Sequence, residues 1–572
     1  MSKRSIFRVL PLLGTLCLFL GGLLSAQQAR PMKKVFPGTQ GTPDGISLDS
    51  ENSDTSALLF RETMTESIWV CVSDGRGLGW SVPIRLDDDT SSAPKKTHKH
   101  SVTVDGDRIY AAWLDERNGA KEDLFFTASL DQGATWSASN IRIDDGFSSG
   151  SKSVKDYRIA SSGDDIIALM STANGSEELY LAYSNDGGAT WSSAEDATLH
   201  NGVSDVDDID LACSEDYAYI AWRDNFSNGV DDTVWLSVFD IKHGNFLIQD
   251  LDVSPNLSLS GGDADDGVGI SVDEDCIAVI FHADNMGSSA EQIRVNLSSD
   301  LGASWTGDFQ VGQYDNSTSG HDVDNGVVLV EDSIVAVAWQ DNRSGQDEVY
   351  CAYAGFVTAV FTADHLCSNS TIGAGAPRIA GEFSGEALAV SWSQFDGRTY
   401  SSCYLRNGIW SGTFVVSENT GDVRNVRIAW NDVYNNFLSV WISDESGAEE
   451  IFYGGYRTQQ VAEPNLVAGT LGSISLSGFF PGETFQVVAS KLLGNLTFPD
   501  GRNLGLTYDN ILGITKSLAP FGGLISASGT GTTSPVTVPG GLSGVRLYFA
   551  AVSFDASGGF SDISDTVIVD IQ

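Results

Sequence analysis

Three octapeptides in the chain share one pattern, Ser-x-Asp-x-Gly-x-Thr/Ser-Trp, and each follows a short run of alternating apolar residues. They occupy residues 129–136, 184–191 and 298–305. Alternation predicts a strand, and the Asp and Gly predict a tight turn in which the carboxylate accepts backbone N–H groups and Gly adopts a positive φ. The closing Trp is expected to pack over the hairpin. We therefore predict structural roles for six residues: Asp131, Trp136, Asp186, Trp191, Asp300 and Trp305.

The octapeptides belong to a longer repeat. Each repeat contains a strand–strand–turn unit, with one further strand before the unit and one after it. Residues 357–363, for example, are predicted as the strand after the sixth unit. Eight units begin near residues 57, 109, 166, 218, 277, 334, 388 and 437, at intervals of 49 to 59 residues. This period, without a helical pattern, predicts an all-β fold: a β-propeller of four-stranded blades. Eight blades are favoured. Seven is the alternative, because propellers often close by lending a terminal strand to the last blade, and residues 33–37 could serve that purpose.

Three segments are expected along the chain. Residues 1–26 combine basic residues, an apolar stretch and Ser25-Ala26, which predicts a signal peptide and a secreted or cell-surface bacterial protein. Residues 31–460 hold the propeller. Residues 465–572 are poor in charge and rich in short alternating strands, which predicts a small β-sandwich. This last segment resembles C-terminal modules of secreted bacterial proteins.

The octapeptide pattern resembles the Asp-box, or BNR repeat, of sialidases and their non-sialidase relatives, over residues 40–460. Sialidases have six blades, fewer than are predicted here. The resemblance implies a search for three arginines that hold a substrate carboxylate, a Tyr nucleophile paired with a Glu, and an Asp acid/base. The nearest matches to the family's F/Y-R-I-P strand are at Arg158, Arg378 and Arg427. All three lack the Pro, and none lies in the first unit.

These three arginines fall at equivalent places on the strands expected to line the central channel. One interpretation is that they converge on an anionic ligand. The other is that this position tolerates Arg, since other copies of the repeat hold Thr, Asp, Ser and Val there. Both interpretations stay open at the level of sequence.

Acidic clusters precede three consecutive channel strands. They contain Asp205, Asp207 and Asp208; Asp263, Asp265 and Asp266; and Asp322 and Asp324 beside His321. Carboxylates at alternate positions suit Ca²⁺, although the spacing is not that of an EF-hand. The alternative is a solvated acidic rim, because the formal net charge of the chain is −43.

The same charge excludes nucleic acid and anionic membrane surfaces as partners, because a polyanion is repelled at long range. No segment after the signal peptide is long and apolar enough to span a membrane. A monomer is expected.

Other chemistry-bearing residues have two interpretations each. Trp-x-Asp steps at Trp113, Trp222 and Trp339 could bind sugar, or could pack between blades, which repetition favours. His98 and His100 lack a third ligand nearby in sequence, which argues against zinc. Six cysteines follow the signal peptide and allow up to three disulfides, with a structural role expected.

The sequence thus predicts a secreted propeller that binds an extracellular glycan or another surface ligand. An exo-glycosidase of the sialidase type and a structural cell-surface protein are the alternatives. No cofactor other than calcium is indicated.

Overall fold

The computed structural model describes most of the chain from Lys33 onward, and the predicted signal peptide lies outside the described residues. Described up to residue 456 are 33–35, 42–50, 55–73, 80–89, 97–119, 121–146, 152–172, 177–199, 206–224, 232–260, 263–284, 291–312, 322–368, 372–381, 388–397, 399–406, 409–410, 413–418, 421–431, 436–444 and 447–456. Described beyond it are 460–461, 466, 468, 470–477, 484–492, 506, 510–515, 521–524, 531–554, 560–564 and 567–572.

The first described strand, β1 (Lys33–Lys34), is followed by a series of antiparallel sheets that are each formed by consecutive strands. Sheet 1 contains β2 (Pro43–Asp49), β3 (Ser56–Glu62), β4 (Ser67–Ser73) and β5 (Ile84–Arg85). Sheet 2 contains β6 (Thr97–Asp105), β7 (Arg108–Asp115), β8 (Asp123–Ser129) and β9 (Ile141–Arg142). Sheet 3 contains β10 (Val154–Ser162), β11 (Asp165–Thr172), β12 (Leu179–Ser184) and β13 (Glu195–Asp196). Sheet 4 contains β14 (Asp207–Ser214), β15 (Tyr217–Asp224), β16 (Thr233–Asp240) and β17 (Asn245–Asp252).

A short helix, α1 (Pro255–Ser260), leads to the second half of the series. Sheet 5 contains β18 (Asp263–Asp273), β19 (Cys276–Asp284), β20 (Glu291–Ser298) and β21 (Phe309–Gln310). Sheet 6 contains β22 (Val323–Glu331), β23 (Ile334–Asp341), β24 (Glu348–Gly355) and β25 (His365–Leu366). Sheet 7 contains β26 (Ala374–Gly381), β27 (Leu388–Gln394), β28 (Thr399–Arg406), β29 (Ile409–Trp410) and β30 (Phe414–Glu418). Sheet 8 contains β31 (Val423–Asn431), β32 (Asn436–Ser443) and β33 (Glu450–Tyr456), with β1 as its fourth strand.

The eight sheets of this described region form a closed ring. The first strand of each sheet packs beside the first strand of the next, and β31 of sheet 8 packs beside β2 of sheet 1. In sheet 8, β1 pairs antiparallel with β33, placing Lys34 opposite Phe452. The Val35 N–H extends this ladder by donating to the Ile451 carbonyl at 2.9 Å. The all-β prediction is confirmed, and radial repetition of antiparallel sheets is the arrangement of a β-propeller.

The core lies between neighbouring sheets, because both faces of each second strand are covered. Residues 109–113 of β7, for example, are fully buried. Apolar side chains from adjacent sheets form continuous clusters, such as the one shared by sheets 6 and 7. This explains why the second strands carry unbroken apolar runs in the sequence instead of an alternating pattern.

The strands predicted at the start of each repeat unit correspond to the second strands of the eight sheets, but the predicted outer strand at residues 357–363 is wrong. This segment is a turn and an extended loop after β24, and β25 begins only at His365. Val357 and Val360 are exposed by 92% and 73%, so their apolar spacing reflects no packing against a neighbouring strand.

The C-terminal segment contains shorter strands around its own apolar cluster. Its strands are β34 (Gln460–Val461), β35 (Leu471–Gly472), β36 (Ser475–Ser477), β37 (Thr484–Ser490), β38 (Gly522–Leu524), β39 (Gly531–Thr532), β40 (Val536–Thr537), β41 (Arg546–Phe554), β42 (Phe560–Ile563) and β43 (Val567–Asp570). A helix, α2 (Asn510–Thr515), and a 3-10 turn (Gly540–Leu542) lie among them. Leu476 of β36 and Val487 of β37 share one core although they belong to different sheets. None of the described helices is long and apolar enough to cross a membrane.

Candidate functional site

The three octapeptides form nearly identical turns that are held by their own side chains. In the first, the Asp131 carboxylate accepts the Thr135 N–H at 2.8 Å and the Thr135 hydroxyl at 2.6 Å. The Ser129 hydroxyl accepts the Gly133 N–H at 2.8 Å and donates to Asp131 at 2.9 Å. Asp186 and Asp300 repeat these contacts, each within 0.2 Å. The hydrogen bonds from Thr135 hold the pKa of Asp131 below its usual value.

Each of these turns also packs against the preceding sheet. Trp191 contacts Phe126 of sheet 2 edge to face, with ring centroids 4.9 Å apart. Trp136 packs into the core between sheets 1 and 2, and Trp305 into the core between sheets 4 and 5. The octapeptides therefore join neighbouring sheets and offer no reactive group to a ligand.

The Trp-x-Asp steps are also structural. Trp113, Trp222 and Trp339 have no exposed surface, so none can stack on a sugar ring. The partner carboxylates are buried as well, and Asp341 accepts the Trp339 indole N–H at 3.2 Å. The interpretation as packing between blades explains these residues, and the sugar-binding interpretation is wrong.

The three candidate arginines lie at equivalent ladder positions on first strands, but their surroundings differ. Arg158, Arg378 and Arg427 face Leu169, Ser391 and Val440 across their respective ladders. The Arg158 guanidinium lies 3.1 Å from Asp156 and 3.5 Å from Asp210. These carboxylates raise the pKa of Arg158 in spite of its burial. The positive charge of Arg158 is thus compensated by two carboxylates of the protein itself.

Arg378 and Arg427 have no such partner in the part of the chain that the structure describes. Each donates from Nη1 to the carbonyl of its preceding residue at 2.8 Å. Burial lowers the pKa of Arg378, and burial together with repulsion from Arg378 lowers the pKa of Arg427 to about 10. The two guanidiniums therefore repel each other, and the described residues provide no carboxylate that would compensate.

Other arginines on the first two strands of the sheets have a carboxylate partner that compensates their charge. Arg61 lies 2.7 Å from Asp44, and Arg424, on the same strand as Arg427, lies 2.6 Å from Glu449. Arg61 and Arg424 are thus paired with carboxylates, unlike Arg378 and Arg427.

Arg378 and Arg427 each lie directly after a β-bulge in the first strand of their sheet. The ladder between first and second strand shifts register immediately before Arg378 and before Arg427. Ala376 and Asn425, within the bulges, adopt positive φ values of 52° and 53°. Bulges re-aim side chains and recur beside functional sites. A comparable shift occurs in the first strand of all eight sheets.

Two further residues surround the arginine pair, and sequence reasoning did not assign them to a site. Tyr400 is fully buried between sheets 7 and 8, donates to the Ser439 hydroxyl at 3.3 Å and interacts electrostatically with both arginines. Burial, and next the charge of Arg427, lowers the pKa of His100 to about 4, so its imidazole is neutral at pH 7. His100 was paired in sequence with His98, whose side chain lies outside the described residues.

Among the described residues, no tyrosine–glutamate pair of the kind that a sialidase mechanism needs lies at these two arginines. Tyr400 hydrogen-bonds to serine. Tyr180 donates a hydrogen bond to Glu178, and Tyr350 donates one to Glu348. Their cationic neighbours are Lys152 and Arg343, respectively.

The predicted acidic clusters are described only in part. Asp205 and His321 lie outside the described residues, as do the side chains of Asp263, Asp265 and Asp266. Asp207 and Asp208 pair with cations: Asp207 lies 2.9 Å from Lys155, and Asp208 lies 3.1 Å from Arg223.

In the third cluster, Asp322 and Asp324 meet Glu291 of the preceding sheet. One carboxylate oxygen from each of the three lies within 4.8 Å of the others, so the group could hold a cation. Calcium binding by these loops stays a prediction.

No protein-family model and no curated protein sequence matches the chain. Among solved structures, an ulvan lyase bound to a glucuronate–sulfated rhamnose ligand is similar with a TM-score of 0.42 and 11% identity, over 74% of this chain and 95% of that chain. A Hadza microbial sialidase has a TM-score of 0.33 and 15% identity over 52% of this chain and 63% of its own. A Penicillium chrysogenum α-L-arabinanase complexed with arabinobiose has a TM-score of 0.34 and 12% identity over 66% and 97%, respectively. Likeness at this level assigns no activity.

Proposed function

We propose that the chain is an exported, eight-bladed β-propeller that binds an anionic glycan at Arg378 and Arg427. The blade number is supported by the eight sheets and by the pairing of β1 with β33. Export is supported by the composition of residues 1–26.

One observation carries the ligand proposal: two neighbouring, half-buried guanidiniums repel each other and have no carboxylate partner among the described residues. Burying an unpaired charge is costly, so such a pair is retained where a ligand supplies the counter-charge. The planar guanidinium forms paired hydrogen bonds with carboxylate and sulfate oxygens. Uronate or sulfate groups on a glycan meet this requirement.

The neighbourhood also contains an exposed aromatic ring that is suited to a sugar. Phe395 is 53% exposed, and its ring rests on Gly373 and Gly375 at the start of β26, the strand that carries Arg378. Phe395 thus offers an apolar ring face near the first residues of the strand that carries Arg378, and such a face can stack on a pyranose ring.

The net charge of −43 restricts the ligand further. Long polyanions are repelled by the molecule as a whole, whereas a short oligosaccharide with one or two charges is repelled only weakly. We therefore propose a short acidic oligosaccharide, or the terminus of a longer chain.

An exo-sialidase is the weaker alternative, because Tyr400 has serine as its hydrogen-bond partner and no Tyr–Glu pair lies at the arginines in the described part of the chain. Turnover of a fluorogenic sialoside above the blank would reverse this preference.

The test is a glycan array with the full-length protein, comparing uronate-, sialate- and sulfate-bearing oligosaccharides with their neutral counterparts. We expect binding only to acidic members. Isothermal titration of the best binder should show a loss of at least about 100-fold for the double variant R378Q/R427Q, as expected when charged hydrogen bonds are removed.

Arg424→Gln is the matched control, since Arg424 lies on the same strand but is paired with Glu449. It should keep wild-type affinity. Without ligand, R427Q should be more stable than the wild type by on the order of 1 kcal/mol, because repulsion is removed. Equal affinity of the double variant and the wild type, or preference for neutral glycans, would refute the proposal.

A further inference from the structure

The core between sheets 6 and 7 contains three thiols and one imidazole. They belong to Cys351 on β24, His365 and Cys367 at β25, and Cys403 on β28. Cys351 and Cys403 have no exposed surface, Cys367 is 1% exposed, and His365 is half-buried. All six cysteines after residue 32 are free thiols in the structure, so none of the three is in a disulfide.

The backbone brings these groups to one face. Cys351 lies directly opposite His365 in the ladder between β24 and β25. Cys367 follows two residues after His365, so its side chain is on the same face. Cys403 approaches from sheet 7, in the same apolar cluster as Cys351 and Cys367.

The potential ligand atoms are close to one another. One ring nitrogen of His365, Sγ of Cys367 and Sγ of Cys403 all lie within 4.8 Å of one another. Cys367 interacts with the thiols of both Cys351 and Cys403. With Zn–S bonds of about 2.3 Å, ligand sulfurs of a tetrahedral zinc site lie roughly 3.8 Å apart, so the separations of at most 4.8 Å among the ligand atoms of His365, Cys367 and Cys403 are close to what zinc requires.

The imidazole is oriented for coordination. The rings of His365 and Trp410 are stacked, with centroids 4.3 Å apart and planes inclined by 2°. Stacking occupies a face of the imidazole and leaves its edge nitrogens for a ligand in the ring plane. Within the described part of the chain, neither His365 ring nitrogen has a hydrogen-bond partner.

We propose that His365, Cys367 and Cys403, with Cys351 as the fourth ligand, bind one Zn²⁺ that links sheets 6 and 7. Thiolate and imidazole are the ligands that zinc prefers, and four protein ligands make a closed site with a structural role. The site is independent of the proposed ligand at Arg378 and Arg427. A disulfide is the competing chemistry in an exported protein, but it would use two of the three thiols and leave the imidazole without a role.

Metal analysis of the full-length protein, purified without chelator, tests the proposal. We expect about one zinc per chain, and tetrahedral thiolate absorption in the visible range when cobalt replaces zinc. His365→Ala, at the half-buried edge of the site, should fold and should bind zinc at least about 100-fold more weakly. Cys403→Ala should abolish the cobalt spectrum.

Cys71→Ala is the matched control, because Cys71 is also a fully buried cysteine on the third strand of its sheet. It should keep the metal and the cobalt spectrum. If the wild type has no zinc and binds none after reduction and reconstitution, or if mass spectrometry finds a disulfide among Cys351, Cys367 and Cys403, the proposal is wrong. Stoichiometric binding of another metal in place of zinc would also overturn it.

Discussion

Two Arg-x-Asp pairs show how strongly a single residue depends on its immediate surroundings. Arg85 ends the outer strand of sheet 1 and Asp87 follows it; Arg142 and Asp144 hold the same places in sheet 2. Asp87 accepts two hydrogen bonds from Arg85, at 3.0 and 2.5 Å, and the Ile68 N–H at 2.9 Å. Asp144 lies 2.8 Å from Arg142, but its two buried carboxylate oxygens have no hydrogen bond of good geometry. A short distance alone does not satisfy a buried carboxylate, because a hydrogen bond also requires favourable angles at donor and acceptor.

This difference predicts an unusual pH dependence. Burial raises the pKa of Asp144 from 3.8 to about 7. Between these two pH values, the folded protein holds a proton on Asp144 that the unfolded chain does not hold. The associated stability is fully present below pH 3.8 and is lost as the pH rises through about 7. Asp144→Asn should therefore raise the free energy of unfolding at pH 8 by on the order of 1–3 kcal/mol, with little gain at pH 4. Urea denaturation at the two pH values measures this.

Asp87→Asn provides the comparison at the equivalent position. It removes a carboxylate with well-formed hydrogen bonds and should lower the free energy of unfolding by about 1.5–3 kcal/mol at pH 8. Equal losses in both variants would show that Asp144 is as well paired as Asp87.

At the scale of elements, the octapeptide turn shows how a local motif acquires a role between sheets. Gly188 and Gly302 hold the same turn position with φ values of 82° and 85°. A Cβ at Gly188 would lie 2.4 Å from the Phe126 ring of the preceding sheet, whereas the nearest atom to a Cβ at Gly302 is 3.5 Å away. The same turn is thus packed tightly in sheet 3 and with ordinary contacts in sheet 5.

Alanine substitutions at the two glycines should separate the cost of the left-handed backbone from the cost of overpacking. Gly302→Ala should cost about 1–2 kcal/mol, the penalty of a left-handed backbone for a residue with a Cβ. Gly188→Ala adds overpacking against Phe126, so it should cost roughly 1–3 kcal/mol more. Thermal or urea unfolding of both variants measures the difference. If the two losses are equal, the turns of sheets 3 and 5 are packed alike.

Elements whose cause is local were predictable from sequence, and the sites were not. The strand and turn of each octapeptide follow from eight adjacent residues, and the second strands follow from apolar runs. Residues 357–363 misled the prediction because Val357 and Val360 are exposed although their sequence alternates as in a strand. The sequence placed Arg158 with Arg378 and Arg427, but it could not show that Asp210, from the next sheet, neutralises Arg158.

At the scale of the whole molecule, both proposed sites are formed where two consecutive sheets meet. Arg378 and Arg427 come from sheets 7 and 8, and the thiol cluster from sheets 6 and 7. His365-x-Cys367 was the available sequence signal for the second site, but Cys403 is 36 residues further along the chain. Only the ring geometry shows that these residues meet. Neighbouring sheets must therefore pack against each other for either site to exist.

Closure depends on β1 and the residue after it, which predicts a large effect from a small segment. Val35 is 3% exposed and packs with Ile46 of sheet 1 and Val440 of sheet 8. Val35→Asp places a charge in this seam and should lower the free energy of unfolding by at least about 3 kcal/mol. Lys34→Ala, which removes only a partly exposed ion pair with Glu450, should change it by less than about 1 kcal/mol.

Urea denaturation gives these values, and limited proteolysis shows where the ring opens. We expect cleavage of the Val35→Asp variant to concentrate in sheets 1 and 8, because the seam lies between them. The anionic ligand should protect the seam of the wild type, since Arg427 lies on β31, which packs beside β2. A Val35→Asp variant as stable as Lys34→Ala would mean that the ring stays closed without its N-terminal strand, and that sheet 8 is complete with three strands.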